Sequence, residues 1–146
     1  MKIFLDTSAL FKLYHQEEGT VQLEAVFTQA NITHVFLSEI AKVEFASAIW
    51  KKVRTKEISE EQARTTLQLF EGDFGNYSFI ATDSLILEQA RMLMTKYGTQ
   101  GLRTLDSIQL STCCVMSGQV DVFFTADALL QMLLEAEGLR TQIPSG

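Results

Sequence analysis

Four of the chain's eighteen acidic residues stand apart by where they fall. Asp6 ends the apolar run Ile3-Phe4-Leu5, Asp127 follows the run Val122-Phe123-Phe124-Thr125, and Asp106 opens a helical pattern. Glu44 lies within a helical pattern where its neighbours three and four positions away, Ile40, Ala41, Ser47 and Ala48, are small or apolar and include no base. A surface glutamate usually has an oppositely charged neighbour at that spacing. A buried one needs a cation to offset the cost of leaving water. Oxygen donors drawn from distant segments suit Mg2+ or Mn2+, hard ions that bind few carboxylates and keep several waters.

Each acid also has a purely structural explanation. Carboxylates in a first helical turn complement the helix dipole and cap free amides. Taken singly, that explanation is the better one for Asp106 and Asp127, and it is evenly matched for Asp6. Glu44 could equally sit on a solvated helix face. The set of four carries the argument for a metal site. Zinc would want His or Cys. His15 and His34 fall near predicted element ends without a matching spacing, as surface or core residues do, and the adjacent Cys113 and Cys114 read as two buried small hydrophobes in a helix.

The elements that must position these acids follow from hydrophobic periodicity. Lys2 to Leu5 is a strand, Ser8 to Tyr14 a helix, Glu18 to Ala30 a helix and Thr33 to Leu37 a strand. A helix capped by Ser38 runs to about Arg54. The capping box Ser59-Glu60-Glu61-Gln62 announces another that reaches the Gly72 and Gly75 breakers, and the pair should form a helical hairpin. Tyr77 to Ala81 is a strand, Ser84 to Tyr97 a helix closed by Gly98, and Thr104 to Ser117 a helix closed by Gly118. Val120 to Thr125 is a strand, Asp127 to Ala136 a helix, and Leu139 to Ile143 a short terminal strand. The alternation predicts an α/β/α sandwich with a mostly parallel sheet. In such a sheet the carboxyl ends of the strands share one edge, where ligands bind, so Asp6 and Asp127 should face one crevice.

The bulk numbers bound the rest. At 146 residues the chain suits a single domain, 1–146, that buries roughly two thirds of its unfolded surface. With 47% apolar and 21% charged residues, one Pro and eight Gly, it reads as an ordinary globular protein. No apolar run is long enough for a signal peptide or a membrane span, so a cytoplasmic location is expected. A net charge of −6 argues against a broad electropositive face for nucleic acid. A carboxylate cluster holding a cation lowers net charge and still presents positive charge to a phosphate.

Four stretches together resemble the PIN domain, and more narrowly the VapC-like toxins. They are Ile3-Phe4-Leu5-Asp6-Thr7-Ser8-Ala9-Leu10, Val43-Glu44-Phe45-Ala46, Gly101-Leu102-Arg103-Thr104-Leu105-Asp106-Ser107-Ile108-Gln109-Leu110 and Phe124-Thr125-Ala126-Asp127. Their order spans almost the whole chain. The resemblance implies a metal-dependent endoribonuclease in which Asp6, Glu44, Asp106 and Asp127 form an acidic pocket, with the Ser8 and Thr125 hydroxyls as supporting donors. Asp127 occupies a variable family position that often acts through water. Gln109 departs from the pattern, since similar sequences frequently carry His or Ala there. The resemblance further implies a small antitoxin whose C-terminal segment lies in the active-site groove, groove walls from the helices around Val21 to Phe27 and Ala63 to Phe70, and a homodimer.

In that chemistry one or two divalent ions activate water for in-line attack on a phosphodiester, leaving 5′-phosphate ends. No acid–base histidine pair is needed. Lys51, Lys52, Arg54 and Lys56 cluster where the Glu44 helix ends and, with Lys12 and Arg103, could guide an RNA backbone. Cations also favour helix C-termini for structural reasons. Apolar stripes such as Leu87, Met92 and Met94 read as core. An aspartyl-phosphate enzyme would carry a second Asp where Ser8 stands, and no phosphate-binding Gly-Lys-Ser/Thr loop exists. The remaining rivals are a non-catalytic RNA- or protein-binding module on the same fold and a PIN-like nuclease outside toxin–antitoxin systems.

Overall fold

The computed structural model describes residues 1–144. Five strands form one sheet: β1 (Lys2–Leu5), β2 (His34–Ser38), β3 (Ser78–Ile80), β4 (Val122–Phe124) and β5 (Thr141–Gln142). The spatial order is β3-β2-β1-β4-β5 and every pairing is parallel. Parallel strands need crossovers, and helices supply them. These are α1 (Thr7–Phe11), α2 (Thr20–Gln29), α3 (Ala41–Arg54), α4 (Glu60–Gly72), α5 (Ser84–Tyr97), α6 (Thr104–Val115) and α7 (Ala128–Ala136).

Strand alternation divides the core in two. Ile3 and Leu5 of β1, Val35 and Leu37 of β2, and Val122 and Phe124 of β4 pack with α1 to α4 through Leu10, Leu23, Phe45 and Phe70. Phe4, Phe36 and Phe123 face the other way, onto α5 to α7 through Leu93, Leu110, Leu130 and Leu134. A sheet covered on both faces reads as unbroken apolar runs, which is why β1 and β4 were conspicuous. The result is the expected α/β/α sandwich, with α3 and α4 packed as a hairpin. The box at the start of α4 is present: the Gln62 N–H donates to Ser59 Oγ at 3.1 Å and the Ser59 N–H to Gln62 Oε1 at 2.8 Å.

Several boundaries differ for local reasons. Ser38 does not cap α3; it is the fully buried last residue of β2, and Ile40 occupies the cap position. Helix α1 stops at Phe11, ahead of the predicted Tyr14. Gly98 keeps a right-handed conformation and opens a single 3-10 turn over 98–100, and Gly101 takes the left-handed φ of 96° instead. On α5 the buried stripe is Ile86, Ala90, Leu93 and Tyr97; Leu87 and Met92 are exposed, at 48% and 62%, so they are not core. Gly19 has a structural requirement of its own. Its φ is 93°, and a Cβ there would lie 1.7 Å from the Pro144 carbonyl oxygen.

Strand order reverses between β1 and β4, since the chain continues from β1 to β2 on one side and β4 joins on the other. That is the topological switch point where a parallel sheet opens a crevice beyond its carboxyl edge. Asp6 and Thr125 are the first residues beyond the paired ends Leu5 and Phe124.

Candidate active site

A cavity of about 120 Å³ lies at this crevice, lined by Asp6, Thr7, Ser8, Glu44, Asp106, Gln109 and Asp127. The fold therefore brings together all four acids singled out by the sequence, from the β1–α1 junction, α3, the first turn of α6 and the β4–α7 junction.

Asp6 is 5% exposed and carries the densest hydrogen bonding. Its Oδ1 accepts the Ala9 N–H at 2.9 Å, capping α1, and the Ser8 hydroxyl at 2.7 Å. Its Oδ2 accepts the Thr125 hydroxyl at 2.5 Å. Thr125 in turn accepts the Asp127 N–H at 3.0 Å, and Ser8 accepts the Ala126 N–H at 2.9 Å. The two hydroxyls thus lock the ends of β1 and β4 around one carboxylate. Burial still pushes the Asp6 pKa up to about 6, against the pull of those bonds, and the Asp127 charge adds to the rise.

Asp127 caps α7 by accepting the Leu130 N–H at 2.9 Å. Capping and cavity lining coincide in Asp6 and Asp127, so the structural role does not compete with the chemical one. Asp106 behaves differently. It stands in the first turn of α6, where Arg103 holds the cap position without a side-chain bond, and the Asp106 carboxylate makes no hydrogen bond among the described residues. Burial raises its pKa, the charges of Asp127 and Glu44 add to the rise, and the Arg103 guanidinium offsets part of it. Glu44 Oε1 accepts from the Thr7 hydroxyl at 2.8 Å and from Gln109 Nε2 at 2.9 Å.

Thr7 was not singled out from the sequence, since a threonine inside a first helical turn carries no signal by type. Gln109 had one, a position one turn beyond Asp106 on the same helix face. Its Oε1 and Thr82 Oγ1 are the two buried side-chain polar atoms without a partner among the described residues.

No three His, Cys, Asp or Glu side chains among the described residues converge closely enough to grip one ion in this arrangement. Asp6 and Asp127 are turned toward their caps and Glu44 toward its two donors. The chemistry of the donor set nevertheless fits a hard divalent cation. The lining is all oxygen apart from the Gln109 NH2, two acids have raised pKa values, and a buried carbonyl has no partner.

The basic residues separate. Lys12 is buried, and its ammonium is bound to Glu17 at 3.2 Å and to the Glu18 carbonyl at 2.6 Å, so it holds the α1–α2 loop and is not presented to a ligand. Lys51 and Lys52 line a depression of about 300 Å³ that adjoins the acid cavity through Thr7 and Ser8 and is floored by Phe11, Ala48 and Ala126. Lys52 is paired with Glu57 at 3.1 Å; Lys51 and Arg54 are exposed. Of the two expected groove helices, α4 lines the next depression, through Glu61, Gln62, Thr65 and Thr66 opposite Tyr14 and His15. Helix α2 instead walls a separate one, with Glu24, Phe27 and Thr28 opposite Asp73 and Tyr77. His15 packs on Phe11 and His34 stacks on Phe36, and neither lines the acid cavity. Burial raises both thiols, Cys113 well above its usual value and Cys114 to about 11. Among the described residues no helix is long and apolar enough to cross a membrane.

The family model of the PIN domain matches residues 3–131. The chain is 31% identical over 98 residues to Ribonuclease VapC3 of Pyrobaculum aerophilum, covering 67% of this chain and 72% of that one. In structure it is similar to FitAcB from Neisseria gonorrhoeae, with a TM-score of 0.70 at 14% identity over 97% of each chain. It is also similar to Mycobacterium tuberculosis VapC20, described as a Sarcin-Ricin loop cleaving toxin, with a TM-score of 0.69 at 12% identity over 90% of this chain and 94% of that one.

Proposed function

The chain belongs to the PIN domain family, and from that premise we propose that it is a Mg2+- or Mn2+-dependent endoribonuclease, the toxin of a toxin–antitoxin pair acting in the cytoplasm. One observation carries the reading: four carboxylates from four separate segments line a single cavity at the switch point of the sheet. The related ribonuclease and the toxin among the structural neighbours support the substrate class. A neighbouring toxin–antitoxin complex from Klebsiella pneumoniae supports a small antitoxin partner, and we propose that this antitoxin sits in the groove beside the cavity of a homodimer.

Asp6, Glu44, Asp106 and Asp127 would hold the cation. When bound, a divalent ion stabilises charge on the phosphodiester and lowers the pKa of water. The protein's own groups do the positioning. Ser8 and Thr125 orient Asp6 and offset part of the cost of ionising it when buried, Thr7 holds Glu44, and the capping bond fixes Asp127. In this reading the exposed Lys51, Arg54 and Arg103 would receive an RNA backbone, which binds chiefly through its phosphates, and Lys51 lines the depression that adjoins the cavity. With no histidine lining the cavity, water rather than the RNA 2′-hydroxyl is the attacking group, and the products carry 5′-phosphate.

A second reading, a module that binds without cutting, is favoured by the lack of three converging acids among the described residues. Single-stranded RNA incubated with Mn2+ or with chelator separates the two. Cleavage that chelator abolishes supports the enzyme; binding without cleavage in Mn2+ supports the module.

A further inference from the structure

Gln109 lies one turn beyond Asp106 on α6, so the two side chains share a helix face, and both line the acid cavity. It is 2% exposed. Its Nε2 donates to Glu44 Oε1 at 2.9 Å and to Thr7 Oγ1 at 3.1 Å. Its Oε1 is buried and has no partner among the described residues. Chemistry sets which way the amide faces. Turned over, it would press a carbonyl oxygen against the Glu44 carboxylate and leave two buried donors unpaired. Buried carbonyls in folded proteins are nearly always satisfied, so an unpartnered one on a residue that itself lines a cavity of carboxylates calls for a ligand that attracts oxygen.

We infer that Gln109 is a positioning residue of the cation site and also its neutral oxygen donor, an inference that rests on the metal-dependent reading above. The two ends of one amide divide the work. The NH2 end sets the place of Glu44, and the carbonyl end offers the cation an acceptor. Neither adds charge to a cavity that four carboxylates already crowd. A fifth carboxylate would supply the oxygen but repel Glu44 until a cation arrived. A hydrophobic residue would supply neither end. The length of Gln matters too, since from α6 it reaches both α3 and the start of α1.

The test is calorimetric titration of Mn2+ into the full chain, with thermal melts in chelator, for wild type, Gln109→Met and Gln109→Glu at pH 8. Wild type should bind Mn2+, and Gln109→Met should bind it about tenfold or more weakly while remaining folded in chelator, a loss typical of residues that orient metal ligands. Gln109→Glu should melt several degrees lower than wild type in chelator and recover that loss in saturating Mn2+. It serves as the independent check if Gln109→Met does not fold. A Gln109→Met variant with wild-type Mn2+ affinity, or a Gln109→Glu variant with unchanged melting in chelator, overturns the role of Gln109 and leaves the metal-dependent reading standing. Failure of the wild type itself to bind Mn2+ overturns that reading and this inference together.

Discussion

The Thr125 hydroxyl donates to Asp6 Oδ2 at 2.5 Å, across the seam where β4 meets β1. The same oxygen accepts the Asp127 N–H at 3.0 Å, so one buried side chain joins two of the cavity acids. Thr125→Val keeps the shape and removes both bonds. It should destabilise the metal-free protein by roughly 1.5–3 kcal/mol at pH 8, the range for a hydrogen bond to a charged group. The loss should shrink at pH 5, where Asp6 is mostly protonated, because its pKa is about 6. Urea melts at the two pH values measure both; equal losses would show that the Asp127 N–H, not the Asp6 charge, dominates.

The raised pKa of Asp6 fixes the sign of the pH response. Its folded value is about 6 against an ordinary 3.8, so between these values the folded state holds the extra proton. Stability of the metal-free protein should therefore rise as pH falls from 7 to 5. Asp106 is shifted in the same direction. Glu57, Glu88 and Glu137 are shifted downward, so their opposing effect belongs to a lower pH window. Melts in chelator at constant ionic strength check this. A stability that is flat or falls over that interval would contradict it.

Asp106 has no hydrogen bond among the described residues and faces two other acids. Asp106→Asn should accordingly leave the metal-free fold as stable as wild type or more so. With Mn2+ at about a hundred times its dissociation constant, wild type should gain roughly 2.7 kcal/mol, a gain the variant should largely lose. If Asp106 served only the α6 dipole, the variant would instead lose roughly 0.5–1 kcal/mol and keep the metal response.

The lysines should divide by burial. Lys51→Ala, exposed beside the cavity, should weaken single-stranded RNA binding and reduce its salt dependence by roughly 0.7 in log–log slope per lost phosphate contact, without changing the melting temperature. Lys12→Met should lower the melting temperature, because it removes the only donor to the Glu18 carbonyl among the described residues and the partner of Glu17. Fluorescence anisotropy across a salt series, paired with melts, distinguishes them. An unchanged salt slope in Lys51→Ala would remove Lys51 from the RNA path.

How much of this was readable in the chain depended on whether a residue's role follows from its own segment. Strand β1, the capping box of Ser59 and Gln62, and the acids at strand and helix junctions are local features, and the structure has them in those places. Ser38 failed as a cap because strand pairing with β3 extends through it, which no local pattern reports. Leu87 and Met92 failed as core because apolar residues lie all round α5, and only packing decides that Ile86 and Leu93 face inward. Lys12 looked like any surface lysine until the return of the α1–α2 loop buried it. The Thr7 and Gln109 bonds to Glu44 span 37 and 65 residues, so neither could be read before the fold placed α3 against α1 and α6.

The central claim is that these acids hold a cation for hydrolysis of RNA, and the chemistry of the cut ends tests it most directly. End-labelled single-stranded RNA should be cleaved by wild type in Mn2+ to give 5′-phosphate and 3′-hydroxyl ends, with cleavage abolished by chelator and mostly lost in Asp6→Asn and Asp106→Asn. Cleavage that persists in chelator, that leaves 2′,3′-cyclic phosphate, or that survives in both variants would contradict the account.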